Sequence, residues 1–524
     1  MSESILKRKR PQQDGSRSQK PKKAVKVQDM PTKPALKKSP SAPAPGLARA
    51  TLKAQITTNE KDTKRLEHTK ASSLSIQIVT GSYERVLHGF IATVPAAAES
   101  VEPTPSEPPQ TTFSDTFLFS AHSSSIRSLA FSQTQASKRI LATGSSDERI
   151  NLYQISTLAP SPLKTGPKPS LPSLTSTSVV ENPRNRELGS LLHHSRTITS
   201  LSFPTKSKLF SAAEDNTIGI TRTRDWTTLS TIKAPVPKPV GRPSGDTAAP
   251  GEVPSGVNDF AVHPSMKLML SVSKGERCMR LWNLVTGKKA GVLNFSKEVL
   301  AQVGEGRFST GEGRKVLWRQ DGEGFIVVFE RGAVVYGMDS KPLRVLKLQR
   351  GKVCQAKFVP GNDAVLAVST EDGRVLFYNV ADQDAKADTK VLSSCPCFAE
   401  IPTLEAQSSG RIKDFEILEL ESEAAHDSQL IFITASSDGA VRLWDVPRPS
   451  ISRPELANGT SNGKTDAAAK DVKQVGSLLG VRETGNRLTC LTAFVMEEAT
   501  DQEDAPGKGE VGDRLGSDSD SDDE

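Results

Sequence analysis

Aromatic side chains are scarce in this chain. Phe, Trp and Tyr make up 5% of its 524 residues, and the whole apolar set reaches only 35%. That is few core formers for a wholly folded chain, so a good part of it is expected to be disordered. Long apolar runs are missing too: nothing approaches the roughly 18 residues a membrane-spanning helix needs. The charged N-terminus has no apolar stretch after it, which argues against a secretory leader. Cysteine is sparse, with five residues scattered along the chain. An odd, dispersed set argues for a reducing compartment and against a disulfide framework. A soluble, intracellular protein is expected.

Charge is present and strongly polarised. Residues 1–70 hold 18 Lys/Arg against 6 Asp/Glu, whereas residues 496–524 hold 12 acidic against 2 basic side chains. Such heads and tails usually serve interactions rather than the fold. The division expected is a disordered basic tail over 1–70, a folded body over 71–495 and a disordered acidic tail over 496–524. In the head, Lys7, Arg8, Lys9 and Arg10 form one basic cluster, and Lys20, Lys22 and Lys23 form a second. Their spacing fits a bipartite nuclear import signal; a solvated arm touching RNA is the plainer alternative. In the tail, Ser517, Ser519 and Ser521 stand among carboxylates, a setting suited to an acid-directed kinase. Each phosphate there would add about −1.5 to −2 charges.

The body alternates short Val-, Ile-, Leu- and Phe-rich runs with Pro/Ser/Ala/Gly stretches near 157–185, 234–256, 382–409 and 448–473. Those stretches exceed the usual length of an ordered loop and read as disordered insertions in an all-β domain. A repeat runs through the rest. In each unit an acidic residue stands six positions before an aromatic that ends a strand: Asp147 and Tyr153, Glu276 and Trp282, Glu330 and Tyr336, Asp372 and Tyr378, Asp438 and Trp444. Asp215 stands six before Thr221, with the aromatic lost. Without the insertions the period is about forty residues, that of WD-type propeller blades. In that pattern the acid holds a turn and a histidine ahead of the innermost strand is its partner. His122, four residues before Ile126, and His194, four before Ile198, occupy that place.

The stretch IVTGSYERVLHGF supplies a seventh unit, with Glu84 six residues before Phe90. It holds the two middle strands of a blade and no innermost one. Residues 487–495 read as an innermost strand with no hairpin after it, and FLFSAH (117–122) as the outer strand. The two chain ends are therefore expected to share one blade of a seven-bladed ring, which leaves no strand edge open.

A search for reactive chemistry yields little. No nucleophile elbow surrounds a serine. Cys395-Pro396-Cys397 has no second ligand pair, so neither metal nor cofactor is expected. GEGRFSTGEGRK (304–315) lacks the Gly-x₄-Gly-Lys-Ser/Thr order and reads as a mobile basic loop. Its Arg307, Arg314 and Lys315 are candidates for RNA phosphate. The acidic residues of the repeats read as turn locks rather than general acids.

VTGSYERVLHGF, LATGSSDERINLY, LLHHSRTITSLSF with SAAEDNTI, VHPSMKLMLSV before RLWNLVTGKKA, ITASSDGAVRLWDV and NRLTCLTAFV together resemble one WD-repeat family. It comprises the PAK-kinase-interacting proteins, also called the maintenance-of-killer type. The resemblance implies a non-enzymatic scaffold of the nucleus and nucleolus, acting in assembly of the large ribosomal subunit and in pre-rRNA processing. Implied partners are ribosome-assembly factors, pre-60S particles and rRNA, with the protein monomeric inside a large complex and away from membranes. The alternative implied is negative regulation of a p21-activated kinase. The long insertions, and TRTRDW where the second blade would end in Trp-Asp, depart from the family pattern.

Overall fold

The computed structural model describes residues 73–95, 111–159, 182, 184–237, 254–306, 309–381, 391–402, 410–420, 429–451 and 472–497. Both basic head clusters, Arg307, and the serines 517, 519 and 521 lie outside these residues.

The described chain forms seven antiparallel four-stranded sheets, two of them extended by a short fifth strand. From inside outward, blade one is Ile126–Phe131, Lys138–Ser145, Ile150–Ser156 and Arg186–Leu191. Blade two is Ile198–Thr205, Lys208–Ala213, Thr217–Arg222 and Thr228–Lys233, and blade three is Val257–Val262, Leu268–Ser273, Cys278–Asn283 and Lys288–Asn294. Blade four is Lys315–Trp318, Gly324–Val328, Gly332–Gly337 and Pro342–Lys347. Blade five is Val353–Val359, Asn362–Thr370, Val375–Asn379 and Cys397–Ile401. Blade six is Ile412–Leu420, Gln429–Ser436, Ala440–Pro447 and Ser477–Glu483. Each innermost strand contacts the next, so the sheets close into a β-propeller.

Blade seven joins the chain ends. Leu488–Val495 is its innermost strand and runs antiparallel to Leu74–Ser82, with Ile76 opposite Val495 and Gly81 opposite Cys490. Val86–Val94 and Thr112–Ser120 complete it. The expected exchange is therefore present, and its outer strand begins five residues earlier than the FLFSAH motif.

The strands alternate as a packed sheet requires, with Ile76, Ile78, Phe90 and Ala92 on one face and Val79, Leu87 and Ile91 on the other. Both faces are apolar because each blade is sandwiched between two neighbours. Seven buried clusters result, each drawing on adjacent blades. A fully buried Phe or Leu in such a cluster contributes about 1.5–3 kcal/mol.

Several expectations need correction. The stretch 382–409 is not wholly an insertion, because Cys397–Ile401 is the outer strand of blade five and Cys395 is buried in the core between blades four and five. Ser393–Ser394 adds a parallel strand to the edge of blade four, and Lys473–Gln474 does the same for blade five. The margins of other stretches are also ordered. Leu158 bridges Glu497, the amide of Gly256 donates to Asn216 Oδ1, and Arg448–Ile451 makes a helical turn that buries Ile451.

The glycine-rich segment 304–315 is not a mobile loop over its described part. Lys297–Val303 is a short helix, capped by Ser296 at its start and by Gly304 at φ 97° at its end. Farther on, Arg277 of blade three donates to the carbonyls of Ser309 and Thr310, and Asn258 donates to that of Gly313. These bonds fasten residues 309–313 to blade three.

Candidate functional site: turn locks and the channel mouth

The acidic turn residues sit at one end of the ring, each beside the entrance to an innermost strand. In blade one, Asp147 accepts from the Ser123 amide at 2.9 Å and the Arg149 amide at 3.1 Å. His122 Nδ1 lies 3.1 Å from Asp147, and its Nε2 lies 2.7 Å from Thr143 Oγ1. Blade two repeats this: His194 Nδ1 is 3.2 Å from Asp215, its Nε2 is 2.8 Å from Ser211 Oγ, and the Ser195 amide donates to Asp215.

A hydroxyl, an imidazole and a carboxylate in line have the order of a catalytic triad. Here Thr143 and Ser211 are almost wholly enclosed, at 0% and 1% exposure. Neither hydroxyl can meet a substrate, so the line serves the turn. Burial pushes the His122 pKa down and outweighs the pull of Asp147. Burial would raise Asp147, but the Ser123 amide and the His122 ring more than offset it, so its pKa is lowered. At neutral pH the pair is a neutral imidazole against a carboxylate.

Blades without the histidine use a cation. Glu276 pairs with Arg280 four residues on, and Asp438 with Arg442 at the same offset, 3.2 Å apart. Asp372 pairs with Arg374, which also reaches Glu400 at 3.1 Å. Glu330 takes Arg314 and Lys352, and these interactions hold its carboxyl below the ordinary range. Glu84 accepts the Arg487 amide at 2.9 Å and so pins the strand from the far end of the chain.

Six residues on, Phe90, Tyr153, Trp282, Tyr336, Tyr378 and Trp444 are all buried. Trp282 Nε1 donates to Ser271 Oγ at 2.8 Å. Thr221, which stands in the lost aromatic place, is buried with an unpartnered hydroxyl, while Trp226 packs onto the core between blades one and two.

One polar cluster escaped sequence reasoning. His88, four residues after Glu84 in the place of Arg280 and Arg442, meets Asp115 at 2.8 Å. Arg482 of blade six reaches the same carboxylate at 2.8 Å, so the trio ties blade seven to blade six. The four-residue offset was a usable signal for His88. Its partners lie far off in the chain and carried none.

The innermost strands enclose a central cavity of about 790 Å³. Six of the seven begin with a one-residue bulge, at Arg127, Thr199, Asn258, Cys354, Lys413 and Thr489. A bulge re-aims its side chain out of the pleat, here into the channel. Blade four has no bulge and presents Lys315 at the same level. Thr199, Asn258 and Thr489 spend their polar atoms on carbonyls of the adjoining blade. Deeper in, Lys357 lies 3.2 Å from Glu416 and 3.9 Å from Asp414. Asp414 also accepts from the Leu491 amide of blade seven. Of the candidate RNA contacts, then, Arg314 is paired and Lys315 faces the channel.

Seven four-stranded blades with acid-locked turns define a WD-repeat β-propeller, and the family model described as WD domain, G-beta repeat matches residues 113–154, 185–220 and 421–445. The chain is 26% identical to the p21-activated protein kinase-interacting protein 1-like of Danio rerio, over 83% of this chain and 84% of that protein. The Gallus gallus protein of that name is also 26% identical, over 83% and 84% of the two chains. Protein MAK11 of Saccharomyces cerevisiae is 26% identical over 71% of this chain and 78% of its own length. The chain is similar to these proteins over most of its length, and they are the group its motifs resemble.

Proposed function

We propose that this protein is a non-enzymatic scaffold in nucleolar assembly of the large ribosomal subunit. Fold alone does not define a role. The reading draws on the relationship to the MAK11-type proteins across most of the chain, and on what that family resemblance implies. The carrying structural observation is that every repeat carboxylate is engaged by an amide or cation of its own turn or strand entrance. These groups therefore stiffen the ring instead of awaiting a substrate. A rigid ring presents loops on two faces and suits the joining of several partners. The basic head suits nuclear import and the acidic tail suits competition for basic ribosomal proteins.

Tagged protein should co-sediment with pre-large-subunit particles, and its depletion should lower the ratio of large to small subunits. Unchanged subunit ratios after depletion would defeat the proposal. A second reading, restraint of a p21-activated kinase, is favoured by the names of the vertebrate relatives. It predicts a kinase complex that survives ribonuclease treatment and contains no assembly factors.

A further inference from the structure

We propose that the mouth of the central channel is a binding site for a small, multiply phosphorylated anion, independent of the scaffold role above. Eight Lys/Arg side chains and five carboxylates line the cavity. Most of the cations are committed: Lys274 to Glu214, Arg314 and Lys352 to Glu330, Arg411 to Glu371, and Lys357 to Glu416. Among the described residues, Arg127, Lys315 and Lys413 line the same cavity and make no ion pair. Of the remaining lining carboxylates, Asp414 accepts the Leu491 amide and Glu312 the Gly275 amide, the latter at 2.7 Å.

Register places the three free cations at one height. Arg127 is the bulged residue between Ile126 and Ser128, Lys413 that between Ile412 and Asp414, and Lys315 opens its strand opposite Val328. Each thus lies two to three residues before the acidic turn residue on the neighbouring strand. They come from blades one, six and four, so they approach the axis from separated directions. Walls of low polarisability focus the field of such like charges. Lys and Arg donors are suited to phosphate oxygens.

The rest of the channel narrows the choice of ligand. Below the three cations, Lys357 faces two carboxylates, so an anion is held at the mouth and repelled from the depth. A duplex cannot enter a cavity of about 790 Å³ walled by strands. A compact molecule with phosphates pointing several ways matches cations arriving from three blades better than a linear chain does.

The test is calorimetric titration of the full-length protein with inositol hexakisphosphate at physiological salt, with tripolyphosphate as a linear comparison. One site is expected in the channel, with the cyclic compound bound more tightly. Lys413→Gln and Arg127→Gln should each weaken binding about tenfold, a loss of one well-placed charged contact. Lys288→Gln, which removes an exposed cation from the outer strand of blade three, away from the cavity, should leave it within about twofold. A variant with Lys7–Arg10 and Lys20, Lys22 and Lys23 changed to Gln should keep the site; loss there would assign binding to the head and overturn the proposal. So would the absence of binding, or binding indifferent to Arg127 and Lys413. A short single-stranded RNA bound as tightly, with the same dependence on Lys413, would overturn the choice of ligand class. Unchanged thermal midpoints of the variants separate lost binding from lost folding.

Discussion

Truncating Phe494 to alanine would measure how much the last strand contributes to the ring. The side chain belongs to Leu488–Val495 and is 1% exposed between blades seven and one. Its ring meets Phe131 edge-on, 4.9 Å between centroids at 89°, and the Arg139 guanidinium lies over it at 4.9 Å. Removing a buried Phe costs about 3–5 kcal/mol, because the space refills only in part. Within that sum the edge-to-face pair accounts for about 0.5–1.5 kcal/mol. The stacked guanidinium adds about 1 kcal/mol, and burial already lowers its pKa. A loss near 4–5 kcal/mol would take about a quarter or more from a domain stable by about 5–15 kcal/mol. Urea unfolding followed by circular dichroism gives the loss, and a cycle with Phe131→Ala should show coupling of about 0.5–1.5 kcal/mol. A cost below about 1 kcal/mol, with strictly additive effects, would refute the packing described between Phe494 and blade one.

Other perturbations probe separate parts of the design. Asp115→Asn removes the charge shared by His88 and Arg482, and the expected loss is about 2–4 kcal/mol, moderated because Arg482 can turn toward water; a thermal midpoint equal to wild type would count against the cross-blade tie. Acid should weaken the fold through its buried histidines. Burial lowers the pKa of His88 and His122, and burial with the neighbouring His194 takes His193 to about 4. The unfolded chain then binds more protons below pH 6.5, so stability falls as pH drops from 6.5 toward 4; for His193, whose partial exposure screens the effect, the loss is about 1–2 kcal/mol. Melting temperatures that stay level between pH 7 and 5 would contradict this, and His193→Gln should reduce the slope. Gly332→Ala would drive a Cβ against the Leu346 carbonyl oxygen in blade four; the expected cost is about 1–3 kcal/mol, read from the denaturation midpoint, and a neutral result would disprove the close approach.

The ring was legible because its signals are local. The acid and the strand-ending residue are separated by a fixed run of alternating strand, so Asp147 with Tyr153 or Asp438 with Trp444 can be read without knowing any long-range partner. The shared blade was legible because each chain end lacked what the other offered. Cys397–Ile401 was lost to view because the composition of the surrounding stretch is that of a linker, and periodicity over five residues is weak. The bulges were invisible for another reason. They are register events between two strands, and Arg127, Thr199 and Lys413 share no side-chain chemistry that would betray a common position. The Asp115–Arg482 pair spans blades, so only the fold brings it together.

Blade seven also has a history in time. Its hairpin leaves the ribosome early, but the strand that covers Leu74–Ser82 is made roughly 400 residues later, about 20–80 s at ordinary elongation rates of ~5–20 residues per second. For that interval a row of unpaired backbone groups on Ser75, Gln77, Val79 and Gly81 stays available to any passing strand. A nascent-chain escort that recognises this early hairpin would be more useful to the protein than one acting after release.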